Sequence, residues 1–402
     1  METQQRSTEY IFQGTMYFFR REKIQCRYQF ALRDTVEPAL LQRALTAALE
    51  SAPYYTQRLV QEKRETWLEP NTAPCLVYTG STMREMPEQT NGYLFSVSCE
   101  GDTVYFDWNH FLMDGHGVSP LLTRILELYC NLRYGTAFAN PPIPNSPAYD
   151  IRALVEAYPP AEGGEAAIQR EVLQTYEGAL RRTRVCLSKQ SLVEKALANN
   201  AKPVSALMGL LCMAMREYLG KENIQYSYSS DTRDVAGVPH ALYNCVCSFE
   251  HTVQLQAQTR LADFVSDVDA DIKRDLQPQS KRRRMTEQMG WVYKVNQQKA
   301  PLRIKQRVFQ MGEYIGGTIS DFWLSYLGNP LMPATPELAQ YTTDFGVWVP
   351  PEGASVGVEA ASLNGKIILC IHNKAPNPGL AETLRKTFES EGVAVLEAED
   401  LD

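Results

Sequence analysis

The stretch YFDWNHFLMDGHGVSPLL, Tyr105 to Leu122, sets two histidines, two aspartates and two glycines into largely apolar sequence. Side chains alternate along a strand, so Val104, Phe106, Trp108 and His110 share one face. His110 therefore ends an apolar strand face. The turn MDGHG follows. Ser119 is then placed to cap a helix with Pro120 at its first position, carrying Leu121, Leu122, Ile125, Leu126, Tyr129 and Leu132. Taken singly, these parts are ordinary. A histidine on an apolar strand face is more often a core residue than a catalyst, and Asp-Gly is a common turn. Together they put His110, Asp114 and Gly115 in fixed order at a strand–turn–helix joint. An aspartate there can orient the imidazole or hold the loop by pairing with an arginine. A buried neutral imidazole is a good general base near neutral pH.

Upstream, MYFFRREKIQCRYQFAL (16–32) reads as strand. DTVEPALLQRALTAALESAP reads as helix, with Asp34 as cap, Glu37 three residues on, Pro38 in the first turn, and Leu41, Leu45 and Ala48 as its inner stripe. GYLFSVSCE and TVYFDWNHF form a hairpin around Gly101-Asp102. Downstream, a Pro-rich segment from Pro141 to Pro160, continued by AEGGE, marks the domain boundary. PVSALMGLLCMAMREYLG is apolar nearly all round and belongs at the centre of a second domain. Strands follow at IQYSYSS, ALYNCVCSFEHTVQL, DFWLSYLG, ASVGVEAASL and KIILCIHN, and a last helix carries Leu380, Leu384 and Phe388.

The 402 residues, 44% hydrophobic and 22% charged, suit two soluble α/β lobes. A net charge of −7 gives no reason to expect a nucleic-acid partner. No apolar run reaches the roughly 18 residues of a membrane span. The N-terminus lacks a secretory pattern, so a cytoplasmic location is expected. The nine cysteines are scattered and odd in number, which reads as reduced, buried thiols. Cys245 and Cys247 share a strand face, but no second pair completes a zinc site, so no metal is expected. The run Lys281, Arg282, Arg283, Arg284 stands out in an acidic chain. It reads either as a solvated helix face or as an attraction for phosphates or an acidic partner. Trp291, Tyr293, Trp323, Tyr326 and Trp348 would line an apolar site or a lobe interface.

HFLMDG, His110 to Gly115, resembles the His-x-x-x-Asp-Gly signature of the CoA-dependent acyltransferase superfamily. That group includes chloramphenicol acetyltransferases, condensation domains of nonribosomal peptide synthetases, plant BAHD acyltransferases and alcohol acetyltransferases. SYSSDTRDVAGVPHALYNCVCSF is similar to the family's strand, arginine and Asn-x-Val segment, with Arg233 and Asn244 at the matching places. DFWLSYLGNP resembles the strand that approaches the channel from the second lobe. DFGVW, Asp344 to Trp348, is similar to the plant Asp-Phe-Gly-Trp-Gly motif but departs at Val347 and Trp348. Asn109 stands where condensation domains usually carry a second histidine, which leans toward the CoA-using members.

The resemblance implies a mixed α+β fold of two chloramphenicol-acetyltransferase-like lobes, forming a V around a central tunnel. Residues 1–150 would make the N-terminal lobe and 165–402 the C-terminal lobe. His110 would be the general base, Gly115 would keep the loop tight, and Asp114 would face away from substrate and pair with an arginine. Arg27, Arg58 and Arg233 are candidates for that arginine. Ser325, Asn244 and Arg233 are candidates for an oxyanion or channel role, and Lys281 to Arg284 for CoA phosphates. The implied reaction transfers an acyl group from acyl-CoA, as co-substrate, to a small-molecule hydroxyl or amine, with no permanently bound cofactor. A condensation-like enzyme with a substrate tethered to an acyl carrier protein and a non-catalytic binding scaffold are the alternatives.

Overall fold

A computed structural model describes residues 24–61, 66–146, 156, 179–296, 298–316, 320–331, 336–351 and 354–401. The expected strand residues 16–23, most of the Pro-rich linker, the AEGGE segment and the Trp291 side chain lie outside the described residues.

The first lobe is built on β1 (Gln25–Leu32), α1 (Pro38–Glu50), the ribbon of β2 (Gln57–Gln61) and β3 (Thr66–Pro70), β4 (Val77–Thr79), β5 (Phe95–Glu100), β6 (Thr103–Asn109) and α2 (Gly115–Tyr134). The expected hairpin is there. β5 and β6 pair antiparallel from Phe95 opposite Trp108 to Glu100 opposite Thr103, and Gly101 turns the chain at φ 59°. α1 buries Leu41, Leu45 and Ala48 as the sequence stripe requires. It begins at Pro38 with Glu37 as the cap residue, not Asp34, and the Tyr129 hydroxyl accepts from the Glu37 N–H at 3.0 Å.

The second lobe runs through β7 (Arg181–Ser188), α3 (Lys189–Ala198), α4 (Pro203–Leu219), β8 (Asn223–Asp231), the single turn α5 (Arg233–Ala236) and β9 (Val246–Gln254). It continues through α6 (Val265–Asp275), α7 (Pro278–Asn296), α8 (Leu302–Gly316), β10 (Ser320–Tyr326), β11 (Thr342–Trp348), β12 (Ala354–Leu363), β13 (Lys366–Asn373), α9 (Leu380–Ser390) and β14 (Val395–Asp400). Its sheet has the order β14-β7-β13-β12-β10-β8-β9, with β10 parallel to both β8 and β12. Alternate residues serve two cores. Phe322, Leu324, Val356, Val358 and Ala360 pack with α4 behind the sheet, whereas Ala361, Leu363, Ile368 and Cys370 join the core of the first lobe. Burial on both faces is why β12 and β13 read as continuous apolar runs rather than alternating ones.

The two halves of the chain also exchange a strand. The first sheet has the order β11-β1-β6-β5-β4, so β11, from the second half, completes the sheet of the first. Phe30 lies opposite Phe345 and Tyr28 opposite Val347. The division into 1–150 and 165–402 therefore does not separate the two sheets.

Gly117, in the first turn of α2, sits where an added Cβ would lie 1.9 Å from the Leu242 carbonyl oxygen of the second lobe. Backbone cannot yield as a flexible side chain does. Gly117→Ala is expected to lower stability by at least about 2 kcal/mol, read as a lower urea midpoint. Gly290 in α7 has nothing within 4 Å of its added Cβ, so Gly290→Ala, measured alongside, should be neutral or slightly stabilising.

Candidate active site

The joint between β6 and α2 is held by bonds to its own carbonyls. β6 ends at Asn109, and His110 is the first residue of the turn beyond it. The Asn109 side chain accepts from the Phe111 N–H at 2.9 Å, which gives that asparagine a turn-forming job. The Tyr54 hydroxyl donates to Leu112 O and the Tyr55 hydroxyl to Gly117 O, both at 2.6 Å. The Trp108 indole donates to Met113 O at 3.0 Å. Burial pushes both tyrosine pKa values up, so these phenols stay protonated donors.

His110 Nδ1 lies 3.1 Å from the same Met113 carbonyl and 3.3 Å from Asn244 Nδ2. A carbonyl only accepts. An unprotonated Nδ1 would set two lone pairs against each other at the shorter of the two contacts. We therefore assign the proton to Nδ1, which leaves the lone pair on Nε2. Asn244 Nδ2 is itself a donor, so with the proton on Nδ1 it lies against that edge of the ring without a hydrogen bond to it, while its Oδ1 accepts from Val246 N–H.

Asp114 is 2% exposed and is the N-cap residue of α2. One oxygen accepts from Gly117 N–H at 2.8 Å and from Arg233 Nη2 at 2.9 Å; the other accepts from Cys245 N–H at 2.8 Å. The expected cap, Ser119, instead lies inside the helix and donates to Gly115 O, and Pro120 is one turn in. Asp114 outcompetes it because its carboxylate meets the first-turn donor and a cation at once. Burial, the largest single influence, would raise the Asp114 pKa; the Arg233 charge and the three donors outweigh it and hold the pKa below the ordinary range.

Arg233 comes from the other lobe and is 3% exposed. It also bonds Ala241 O and Tyr243 O, each at 2.8 Å, and its Nη1 lies 3.2 Å from Asp231 Oδ1. Arg27 pairs with Asp107 and Arg58 with Glu69, so of the three candidate arginines Arg233 is the one that meets Asp114. The same burial takes Arg233 out of the group of oxyanion or channel residues.

Gly115 marks the closest approach of the second wall. An added Cβ would lie 2.5 Å from the Tyr28 hydroxyl and 2.7 Å from Leu327 Cδ2. Leu327 follows β10, and Trp323, Ser325 and Leu327 face the first lobe. Ser325 is hydrogen-bonded to Glu359, its neighbour across β12. Glu359 is 5% exposed, and burial raises its pKa to about 8. The Tyr28 ring connects the two walls: it packs edge-on to Trp108 at 4.7 Å, and both Glu359 and Asp114 raise its phenol pKa after burial itself.

Other expected residues lie elsewhere. Lys281 is buried and bonds Asp234 at 2.6 Å, and Arg284 bonds Ser248 O and Glu250. Arg283 pairs with Glu287 along α7. Neither Lys281 nor Arg284 is left to hold a phosphate. The aromatic residues do not form one wall: Tyr293 packs in a small core with α7 and α8, and Trp348 bonds Gln29 on β1. All nine cysteines are free thiols, and no metal-binding group occurs among the described residues. No described helix is long and apolar enough to cross a membrane.

No family model matches the sequence, and comparison with curated proteins finds no match. Solved structures do match. The chain is similar to polyketide synthase associated protein 5 from Mycobacterium tuberculosis, with TM-score 0.65 and 16% identity over 94% of this chain and 97% of that one. It is similar to the starter condensation domain of rhizomide synthetase in complex with C8-CoA, with TM-score 0.58 and 12% identity over 96% and 93%. It is also similar to F. sporotrichioides TRI101 complexed with coenzyme A and T-2, with TM-score 0.60 and 10% identity over 99% and 98%. The fold is that of the CoA-dependent acyltransferases.

Within this acyltransferase fold, the sequence pointed to His110, Asp114, Gly115, Arg233 and Asn244, which the structure brings to one place. It missed Tyr54, Tyr55, Tyr28 and Glu359. The paired tyrosines after α1 carried a faint signal, since two adjacent aromatic residues directly behind a proline seldom both face water.

Two outcomes follow. Asp114→Ala leaves three buried donors, Gly117 N–H, Cys245 N–H and Arg233 Nη2, without their acceptor, so it should cost about 3–5 kcal/mol in urea unfolding. Glu359 has a folded pKa near 8, above its unfolded value, so the folded state holds its proton more tightly. Stability from this group is complete below the unfolded pKa and declines as pH rises toward about 8. Glu359→Gln should remove that decline, and identical pH–stability curves for the two proteins would contradict the assignment.

Proposed function

We propose that this protein is an acyltransferase that moves an acyl group from a CoA thioester to a small-molecule hydroxyl or amine, with His110 as general base. The observation that carries the reading is the imidazole itself. Its Nδ1 lies 3.1 Å from the Met113 carbonyl, a contact that suits a proton on Nδ1 and makes Nε2 the basic nitrogen, on a loop tied to the second lobe through Asp114 and Arg233. Two of the solved structures with this fold are complexes with a CoA compound, which supports a CoA thioester as donor.

The chemistry then runs in balance. Nε2 takes the proton from the acceptor O–H or N–H as that atom attacks the thioester carbonyl. The C–O or C–N bond forms, and the carbonyl π pair becomes a tetrahedral oxyanion. Collapse breaks the C–S bond and expels the CoA thiolate, which recovers the proton from the imidazolium. No acyl-enzyme is required. General-base assistance of this kind is worth about 10²–10⁴ in rate, and holding both substrates together supplies much of the rest. Ser325, with a rotatable O–H on the second wall, is the candidate to donate to the oxyanion. Asp114, Arg233 and Gly115 position the loop and do not touch substrate.

The test is thiol release from acetyl-CoA and a longer acyl-CoA with a panel of alcohols and amines. Turnover is expected, with His110→Ala lowering it by about 10²–10⁴ while the fold is kept. Full turnover in that variant would contradict the base assignment. Binding of no CoA species would move the donor to a thioester tethered on an acyl carrier protein. Tight ligand binding without any thioester cleavage would support a binding scaffold.

A further inference from the structure

Glu359 breaks a rule that every other buried acid in the described structure obeys. Asp107 meets Arg27, Asp114 meets Arg233, Glu127 meets Arg124, Asp269 meets Lys273, Asp275 meets Arg274, Asp321 meets Lys221 and Glu391 meets Lys195. Among the described residues Glu359 faces no cation. Its Oε2 is buried and accepts no hydrogen bond from any described residue, and its one partner is the Ser325 hydroxyl. An isolated buried carboxylate is costly, so a site that keeps one has either a proton or a missing partner.

The strand register fixes where that carboxyl points. On β12, Val356, Val358 and Ala360 face the core behind the sheet, and Ala361 and Leu363 face the first lobe. Glu359 shares the parity of the second set. It lies across from Ser325 on β10 and Cys370 on β13. Cys26 and Tyr28 on β1 feel its charge from the facing sheet. None of these groups is a cation. Arg184, on β7 opposite Cys370, is held by Asp344 and Glu397. The carboxyl thus sits between the lobes, one aromatic ring from the Trp108–Met113–His110 cluster.

We propose that Glu359 is an acceptor-specificity residue whose unpartnered oxygen binds a cationic amine carried by the acceptor, distinct from the group that is acylated. The acceptor class is then an amino alcohol or a diamine: the ammonium docks on Glu359 and the second hydroxyl or amine presents its proton to His110. The proposal rests on the acyl-transfer reading for the identity of the bound molecule as acceptor, while the binding site itself stands on the unpaired carboxyl. A charge-assisted bond in such a site favours the cation over its neutral twin by about tenfold or more. Because the carboxyl carries a proton up to about pH 8 in the unliganded protein, amine affinity should rise nearly tenfold per pH unit toward that value and then level.

The experiment is calorimetric titration of the full chain with linear and aromatic amino alcohols, each against the diol of the same skeleton, for wild type and Glu359→Gln. Expected are amino alcohols that bind about tenfold or more tighter than their diols, with the preference and its pH dependence erased in Glu359→Gln. If no amino alcohol outbinds its diol, or the glutamine variant keeps the preference, the assignment is wrong. Parallel thiol release from acetyl-CoA separates the two claims. Glu359-dependent amine binding without His110-dependent release sinks the acyl-transfer reading alone; release indifferent to the amine sinks this inference alone.

Discussion

The Asp114–Arg233 ion pair is the contact on which the rest of the site depends. The two groups come from different lobes and are both nearly inaccessible to water. One carboxylate caps α2 through Gly117, anchors the chain entering β9 through Cys245, and neutralises the one guanidinium buried with it. Taking two charges out of water is unfavourable in itself, so the pair is poor evidence of net stability. Its value is in geometry. With three donors satisfied at once, the turn that carries His110 has one arrangement relative to both lobes. Tyr54, Tyr55 and Trp108 finish that arrangement by saturating the loop's carbonyls.

The two walls of the site are built on opposite principles. Around Asp114 both carboxylate oxygens meet donors within the protein, and the carbonyls of the His110 turn are held by Tyr54, Tyr55 and Trp108. On β12, Glu359 keeps a carboxyl oxygen without a partner among the described residues, at a position where burial pushes its pKa up to about 8. A saturated wall suits a group that must act the same way in each turnover. An unsaturated wall suits recognition, because a molecule that brings the missing charge is distinguished from one that does not.

Much of this was legible in the sequence because it is local. The strand–turn–helix joint, the β5–β6 hairpin, the α1 stripe and the bounds of β12 and β13 follow from periodicity and turn residues over short windows. The cap of α2 was misread because Ser119-Pro120 is a good local start signal; what overrides it is a cation 119 positions away in sequence. The partner arginine was left open among Arg27, Arg58 and Arg233 for the same reason: pairing across lobes leaves no local trace. The β11 exchange is a long-range strand pairing, invisible to any periodicity. Glu359 was hidden in ASVGVEAASL, where alternation sends a polar residue to water. The strand is buried on both faces, so the rule that would dismiss the residue does not hold there. The basic run showed its charge but not the acids that meet it, since Asp234 and Glu250 arrive from other elements.

The claim that Asp114 and Arg233 act as one device joining the lobes is tested most directly by a double-mutant cycle. Urea unfolding of wild type, Asp114→Asn, Arg233→Gln and the double variant gives the coupling free energy, since the two residues share one hydrogen-bond network. A coupling near the upper end of the roughly 0.5–3 kcal/mol range for contacting residues is the predicted result, with the double variant no worse than the poorer single one. Effects that simply add, within about 0.5 kcal/mol, would contradict the account, because the loop of His110 would then be held by something other than this pair.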